Sequence, residues 1–79
     1  MWRADTIQSL IREGLAANSY QAARMLRFSR VITPDDPDTR VLAWARAYRA
    51  ARPFVLPRRM TMTPLEAAAL ADKQITEGA

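Results

Sequence analysis

Apolar residues return along this chain at spacings of three and four and nowhere alternate with polar ones between turns, so the pattern predicts helices and no strand. Ile7, Leu10, Ile11 and Leu15 form the stripe of a first helix, capped by Asp5 or Thr6 and running to about Ala17. Gly14 weakens that helix by roughly 1 kcal/mol relative to Ala. A short second helix starts from a cap at Asn18 or Ser19 and ends near Arg27 or Phe28, with Tyr20, Ala22, Ala23 and Leu26 expected inward.

The segment TPDDPD is a connector. Pro34 and Pro37 push Thr33 and Asp36 towards extended geometry, and the aspartates suit turns and the start of the next helix. A third helix begins from a cap at Asp38 or Thr39 and continues to about Arg52, where Pro53 stops it. It places Val41, Trp44, Ala45 and Tyr48 on one face and Arg46 and Arg49 on the opposite one. After the extended patch FVLP, the run TPLE reads as a capping box, with Thr63 as N-cap, Pro64 at the first helical position and Glu66 reaching back. The fourth helix beyond it, to about Lys73, has mostly alanine as its apolar content, with Leu65 and Leu70 expected inward as its only sizeable burial. The expected fold is all-α, a small bundle of three to four helices. Residues 1–59 are expected to make a compact domain with a helix-turn-helix-like unit, and 60–79 an appended helix and tail that dock weakly or stay mobile.

The stretch around the second helix has the outline of a degenerate helix-turn-helix unit. Ala23 is the small residue of its first helix, Leu26 packs behind, Phe28 plugs the turn and Ser29 caps the next segment. A reading helix needs two turns to fill a major groove, and here only Arg30, Val31, Ile32 and Thr33 precede a proline. Val31 and Ile32 also offer base edges nothing beyond methyl contact.

Composition narrows the chemistry. With neither Cys nor His among 79 residues, disulfides, thiolate catalysis, zinc sites and imidazole acid/base work have no residues to use; no enzyme, metal or cofactor is expected. No apolar run approaches the roughly 18 residues of a membrane span, and no secretory signal is evident, so the expected compartment is the cytoplasm. A chain this short buries only about 60% of its unfolded surface, which makes stabilisation by association an open option. The net charge of +4 is unevenly spread: residues 39–59 hold six Arg and no acid. Arginine favours bidentate contacts to carboxylate or phosphate, although an exposed helix face is often charged for no further reason.

The run from Leu15 to Arg52 resembles the helix-turn-helix-variant domain of the QseM-type antiactivators carried by rhizobial integrative and conjugative elements. The likeness rests on Leu15, Ala16, Ser19 and Tyr20 entering the second helix, then Phe28, the pair Arg30 and Val31, a short acidic connector and an arginine-rich helix. It departs at Ser29, where glycine would be expected, and at Pro53 and Phe54, which replace a glycine-tyrosine turn. The resemblance implies a regulator of quorum sensing or conjugative transfer that binds a transcriptional activator and keeps it from its promoter or from RNA polymerase.

The partner-binding residues expected from the sequence are Arg24, Arg27 and Arg30 beside the turn, Arg46 and Arg49 on the third helix, and Phe54 at its end, a mixture of Arg and aromatic anchors suited to a protein interface. Two alternatives stand beside this. One is a DNA-binding regulator that sets the same arginines against phosphates. The other is a chaperone-like helical module, because residues 42–54 place Trp44, Ala45 and Tyr48 at offsets similar to those of a tetratricopeptide helix.

Overall fold

The structure, a computed structural model, describes residues 1–51, 55, 56, 59, 60 and 63–77. Four helices carry the fold: α1 (Ala4–Arg12), α2 (Ser19–Leu26), α3 (Asp38–Ala50) and α4 (Pro64–Glu77). Between α3 and α4, β1 (Val55–Leu56) and β2 (Arg59–Met60) pair antiparallel, Val55 opposite Met60 and Leu56 opposite Arg59. This ladder corrects the expectation of no strand. Two residues per strand are too few to show alternation, so the pattern carries no trace of it. The architecture is nonetheless all-α. α1 packs on α2 and α3, and α4 packs on α3.

Gly14 ends α1 instead of weakening its interior, so the helix is shorter than the sequence pattern implies. The residue sits at φ 76, the left-handed region that Gly enters at no steric cost. Its N–H donates to the carbonyl of Ile11 at 3.0 Å, and the Leu15 N–H donates to the carbonyl of Leu10 at 2.9 Å. Those two bonds form a Schellman motif, which satisfies carbonyls that the helix end leaves orphaned. Leu15 is thereby carried out of the helix and packs half-buried against the core.

Caps explain two further differences. α1 begins after Arg3 with no side-chain cap, and Thr6 is instead buried, donating its hydroxyl to Asp38 Oδ1 at 2.6 Å. Pro37 takes the N-cap position of α3, so Asp38 is its first helical residue and not its cap. From there the Asp38 carboxylate favours the positive end of the helix and also receives Arg3 at 3.1 Å, tying the starts of α1 and α3 together. Asn18 does cap α2, accepting from the Gln21 N–H at 2.8 Å.

The core is one cluster. Leu10, Ala22, Leu26, Val41, Trp44 and Ala45 are buried completely or nearly so, and Ala67, Ala68 and Ala71 of α4 belong to the same cluster. Inward Val41, Trp44, Ala45 and Tyr48 are as the period of α3 requires. Two inward assignments fail: Tyr20 is exposed while Met25 takes the buried position, and Leu65 and Leu70 lie outward while the alanines turn in. The reason is steric. Small residues let α4 lie close along α3, and a leucine face would hold the two axes apart. At the start of α4 the capping box forms as expected, with the Thr63 N–H donating to Glu66 Oε1 at 3.1 Å and the Glu66 N–H to Thr63 Oγ1 at 3.2 Å.

Gly14→Ala is expected to destabilise the protein by about 1 kcal/mol in urea unfolding, because a Cβ there meets no neighbour and the cost is the left-handed backbone alone. A stabilisation of similar size would mean that the residue behaves as a helix interior position. The Glu66 carboxyl is held below its ordinary value of 4.5 by the bonds it accepts from the Thr63 N–H and hydroxyl. Its folded pKa is depressed, so this contribution is complete above the unfolded carboxyl's range and is lost as pH falls through the folded value. Amide exchange at the start of α4 should therefore accelerate as pH drops below about 4.5, after correction for intrinsic rates, and Glu66→Gln should remove that pH dependence.

Candidate functional site

Ser29 comes after the turn that ends α2 and makes the bonds of an N-cap, its hydroxyl oxygen accepting from the Val31 N–H at 3.2 Å and the Ile32 N–H at 3.0 Å. No helix grows from it. Residues 29–33 are non-helical, and they lead into a tight turn in which the Asp36 N–H donates to the Thr33 carbonyl at 3.0 Å. In a helix Pro34 would have to donate to the Arg30 carbonyl, and it has no N–H with which to do so.

A residue of α4 holds this stretch in place. Asp72 Oδ1 accepts the Ser29 hydroxyl at 2.6 Å and the indole N–H of Trp44 at 2.8 Å, and its Oδ2 accepts the Arg30 N–H at 2.9 Å. Trp44 is fully buried, so its N–H needs a partner inside the fold, and Asp72 supplies it. The indole also stacks on Tyr48, with ring centroids 5.2 Å apart and planes inclined by 14°. Nothing local in the sequence marks Asp72 for this task; the only signal was a buried tryptophan without an acceptor nearby in the chain.

The arginines expected to meet a partner fall into different settings. Arg24 in the last turn of α2, Arg27 at its C-cap and Arg30 just past the turn are all exposed. None of the three lies within ion-pair distance of a carboxylate among the described residues. Arg46 is exposed and reaches Glu13 at 3.3 Å, a surface pair worth well under about 1 kcal/mol. Arg49 lies at the border of the buried face of α3, not opposite it. Its Nε donates to the Leu15 carbonyl at 2.7 Å and its Nη2 to Gln21 Oε1 at 3.0 Å, so it fastens the α1–α2 loop. Phe54 lies outside the described residues.

Arg24 and Arg49 come together at a hollow of about 180 Å³ bounded by α2, the end of α3 and the start of α4. Met25 and Phe28 supply its apolar side, Gln21 and Tyr48 its polar groups, and Pro64 its lip. Burial pushes the Tyr48 hydroxyl above its ordinary pKa, while the positive charges of Arg49 and then Arg24 pull the other way. The Arg49 guanidinium stands 5.7 Å from the centre of the Tyr48 ring. Gln21 was not among the residues expected here, although its place three residues after the Asn18 cap is a capping-box signal; its side chain accepts from the Ala17 N–H at 2.7 Å.

The fold and these residues define an all-α helical bundle with an arginine-bearing outer helix. No protein-family model matches the chain, and no curated protein or solved structure matches it. Among the described residues no helix is long and apolar enough to cross a membrane, and no cluster of acidic side chains has the arrangement of a metal site.

Asp72→Ala should cost about 3 kcal/mol in urea unfolding, since it strips acceptors from the Trp44 indole and from the Ser29 turn together. Leu70→Ala, at an outward position of the same helix, should cost less than about 0.5 kcal/mol. Equal stabilities for the two variants would show that alanine packing alone holds α4.

Proposed function

We propose that this protein is a small regulator that acts by stoichiometric binding to another protein, as an antiactivator that occupies a transcriptional activator. One observation carries the reading: the segment where a helix-turn-helix protein would have its reading helix is non-helical and is bonded into the body of the protein through Ser29 and Asp72. A unit in that state has no rod to lay in a major groove. It offers instead the neighbouring surface, where Arg24, Arg27 and Arg30 stand beside exposed Tyr20 and half-buried Phe28. Arg and aromatic residues are the side chains that dominate protein interfaces.

The charge arrangement supports the same reading. Positive charges close together repel, and no acid occurs between Gly14 and Pro34 to relieve Arg24 in the last turn of α2 or Arg27 at its C-cap. A partner carrying carboxylates would supply that relief. Quorum sensing or conjugative transfer is the setting that the resemblance to QseM-type antiactivators suggests. DNA remains the competing ligand for an arginine surface, and salt separates the two.

Titrated into labelled duplex DNA at about 50 mM salt, the protein should give no saturable binding, whereas a phosphate-dominated binder would bind there and lose orders of magnitude in affinity at about 200 mM. Co-purification from the native host should enrich a transcriptional regulator with the wild type and not with an Arg24→Ala, Arg27→Ala double variant. Tight duplex binding at low salt, or recovery of no regulator, would overturn the proposal.

A further inference from the structure

We propose that the hollow between Arg24, Phe28 and Tyr48 is a docking subsite for an acidic amphipathic segment of a partner protein, one carboxylate meeting Arg24 with an apolar side chain laid against Met25 and Phe28. The inference rests on the protein-binding reading and specifies the chemistry of the bound segment. At about 180 Å³ the hollow is smaller than the roughly 300 to 1,000 Å³ of small-molecule sites and suits one or two side chains.

Its positive charge meets no carboxylate among the described residues. Five of the eight carboxylates have internal work: Glu13 on Arg46, Asp36 on Thr33 and Arg40, Asp38 on Thr6 and Arg3, Glu66 in its capping box, and Asp72 on Ser29, Trp44 and Arg30. The chain between α3 and α4, residues 52–62, contains no acidic residue at all, so it has no carboxylate to give the hollow. Arg49 is already committed to the Leu15 carbonyl and Gln21, which fixes its guanidinium as one wall. Arg24 lines the hollow and meets no acid among the described residues, so its donors are the ones left to a ligand. A guanidinium facing a carboxylate beside an apolar surface forms a stronger bond than it would in open water, because the surface excludes competing solvent.

An acidic peptide fits this arrangement better than a nucleic acid does. Phosphate binding spreads along a stripe of positive charge with open access to a backbone, whereas here charge and apolar surface converge on one small concavity.

The probe is a capped tetrapeptide of alternating leucine and glutamate, titrated into the full chain labelled with ¹⁵N and followed by amide shifts. Gln21, Arg24, Met25, Phe28 and Tyr48 should shift together with a dissociation constant on the order of 1 mM. The same peptide with glutamine for glutamate should bind at least about fivefold more weakly, and Arg24→Gln should weaken the glutamate peptide equally. Lys73→Gln, which removes the same charge far along α4, should leave binding unchanged. The proposal is overturned by shifts that scatter over the surface, by equal binding of both peptides, by no shift at millimolar peptide, or by Lys73→Gln acting like Arg24→Gln. Tighter binding of an oligothymidylate at these same residues would assign the hollow to nucleic acid instead. No transcription factor enters this titration, so its failure removes the subsite while co-purification still decides the antagonist reading, and the reverse also holds.

Discussion

The carboxylate of Asp72 joins three parts of the chain that sequence separates widely: the turn after α2 through Ser29 and Arg30, the centre of α3 through Trp44, and α4 on which it sits. For a donor held in the interior, as the Trp44 indole is, a missing acceptor costs about 1 to 3 kcal/mol. A protein of this size has only on the order of 0.1 kcal/mol of stability per residue, so the three bonds together are comparable with a large part of the whole. Alanine packing brings α4 close to α3, but a smooth alanine face can slide along its partner. The directional bonds of Asp72 set the register, and once it is set the Arg30 N–H and the Ser29 hydroxyl are held to α4.

That arrangement also explains which features could be read from the chain. Local signals held where the structure is decided locally: the Thr63–Glu66 box, the Asn18 cap, the inward face of α3 and the missing reading helix, for which Pro34 is sufficient cause. Errors arose where distant partners decide. Gly14 fits either a weak helix or a helix end, and only the packing of Leu15 chooses the second. Leu65 and Leu70 are larger than the alanines of α4, yet the close approach to α3 selects Ala67, Ala68 and Ala71. Asp38 and Thr6 each look like caps, but bonding to each other at 2.6 Å joins two helix starts.

The candidate site was legible in a similar way. The cationic character of the end of α2 and the turn after it is written in residues 24, 27 and 30, because acids are absent from that stretch. The differences among the arginines could not be read. Arg49 has the composition of a binding residue and the bonds of a structural one, because the Leu15 carbonyl at the end of the Schellman turn needs a donor. Gly14, Leu15 and Arg49 thus form one chain of cause, in which a backbone turn frees a carbonyl, a guanidinium satisfies it, and that guanidinium becomes a wall of the hollow.

Positive charge collects on this face because the acids are placed elsewhere. Asp38 and Glu66 occupy helix starts and Asp72 an interior bond, positions where the macrodipole or a buried donor favours an acid. Among the described residues 1–51, the arginines other than Arg49, the salt-bridged Arg3, Arg40 and Arg46, and Arg12 on Ser9 have no comparable internal demand, and these are Arg24, Arg27 and Arg30 at the end of α2 and past its turn. Charge placed this way contributes little to the fold, since exposed pairs are weak and these have no described partner. Its physical consequence lies in association: it speeds encounter with an acidic surface and repels a basic one. Met25 and Phe28 then discriminate among acidic surfaces, because only one that brings an apolar side chain alongside its carboxylate can fill the hollow.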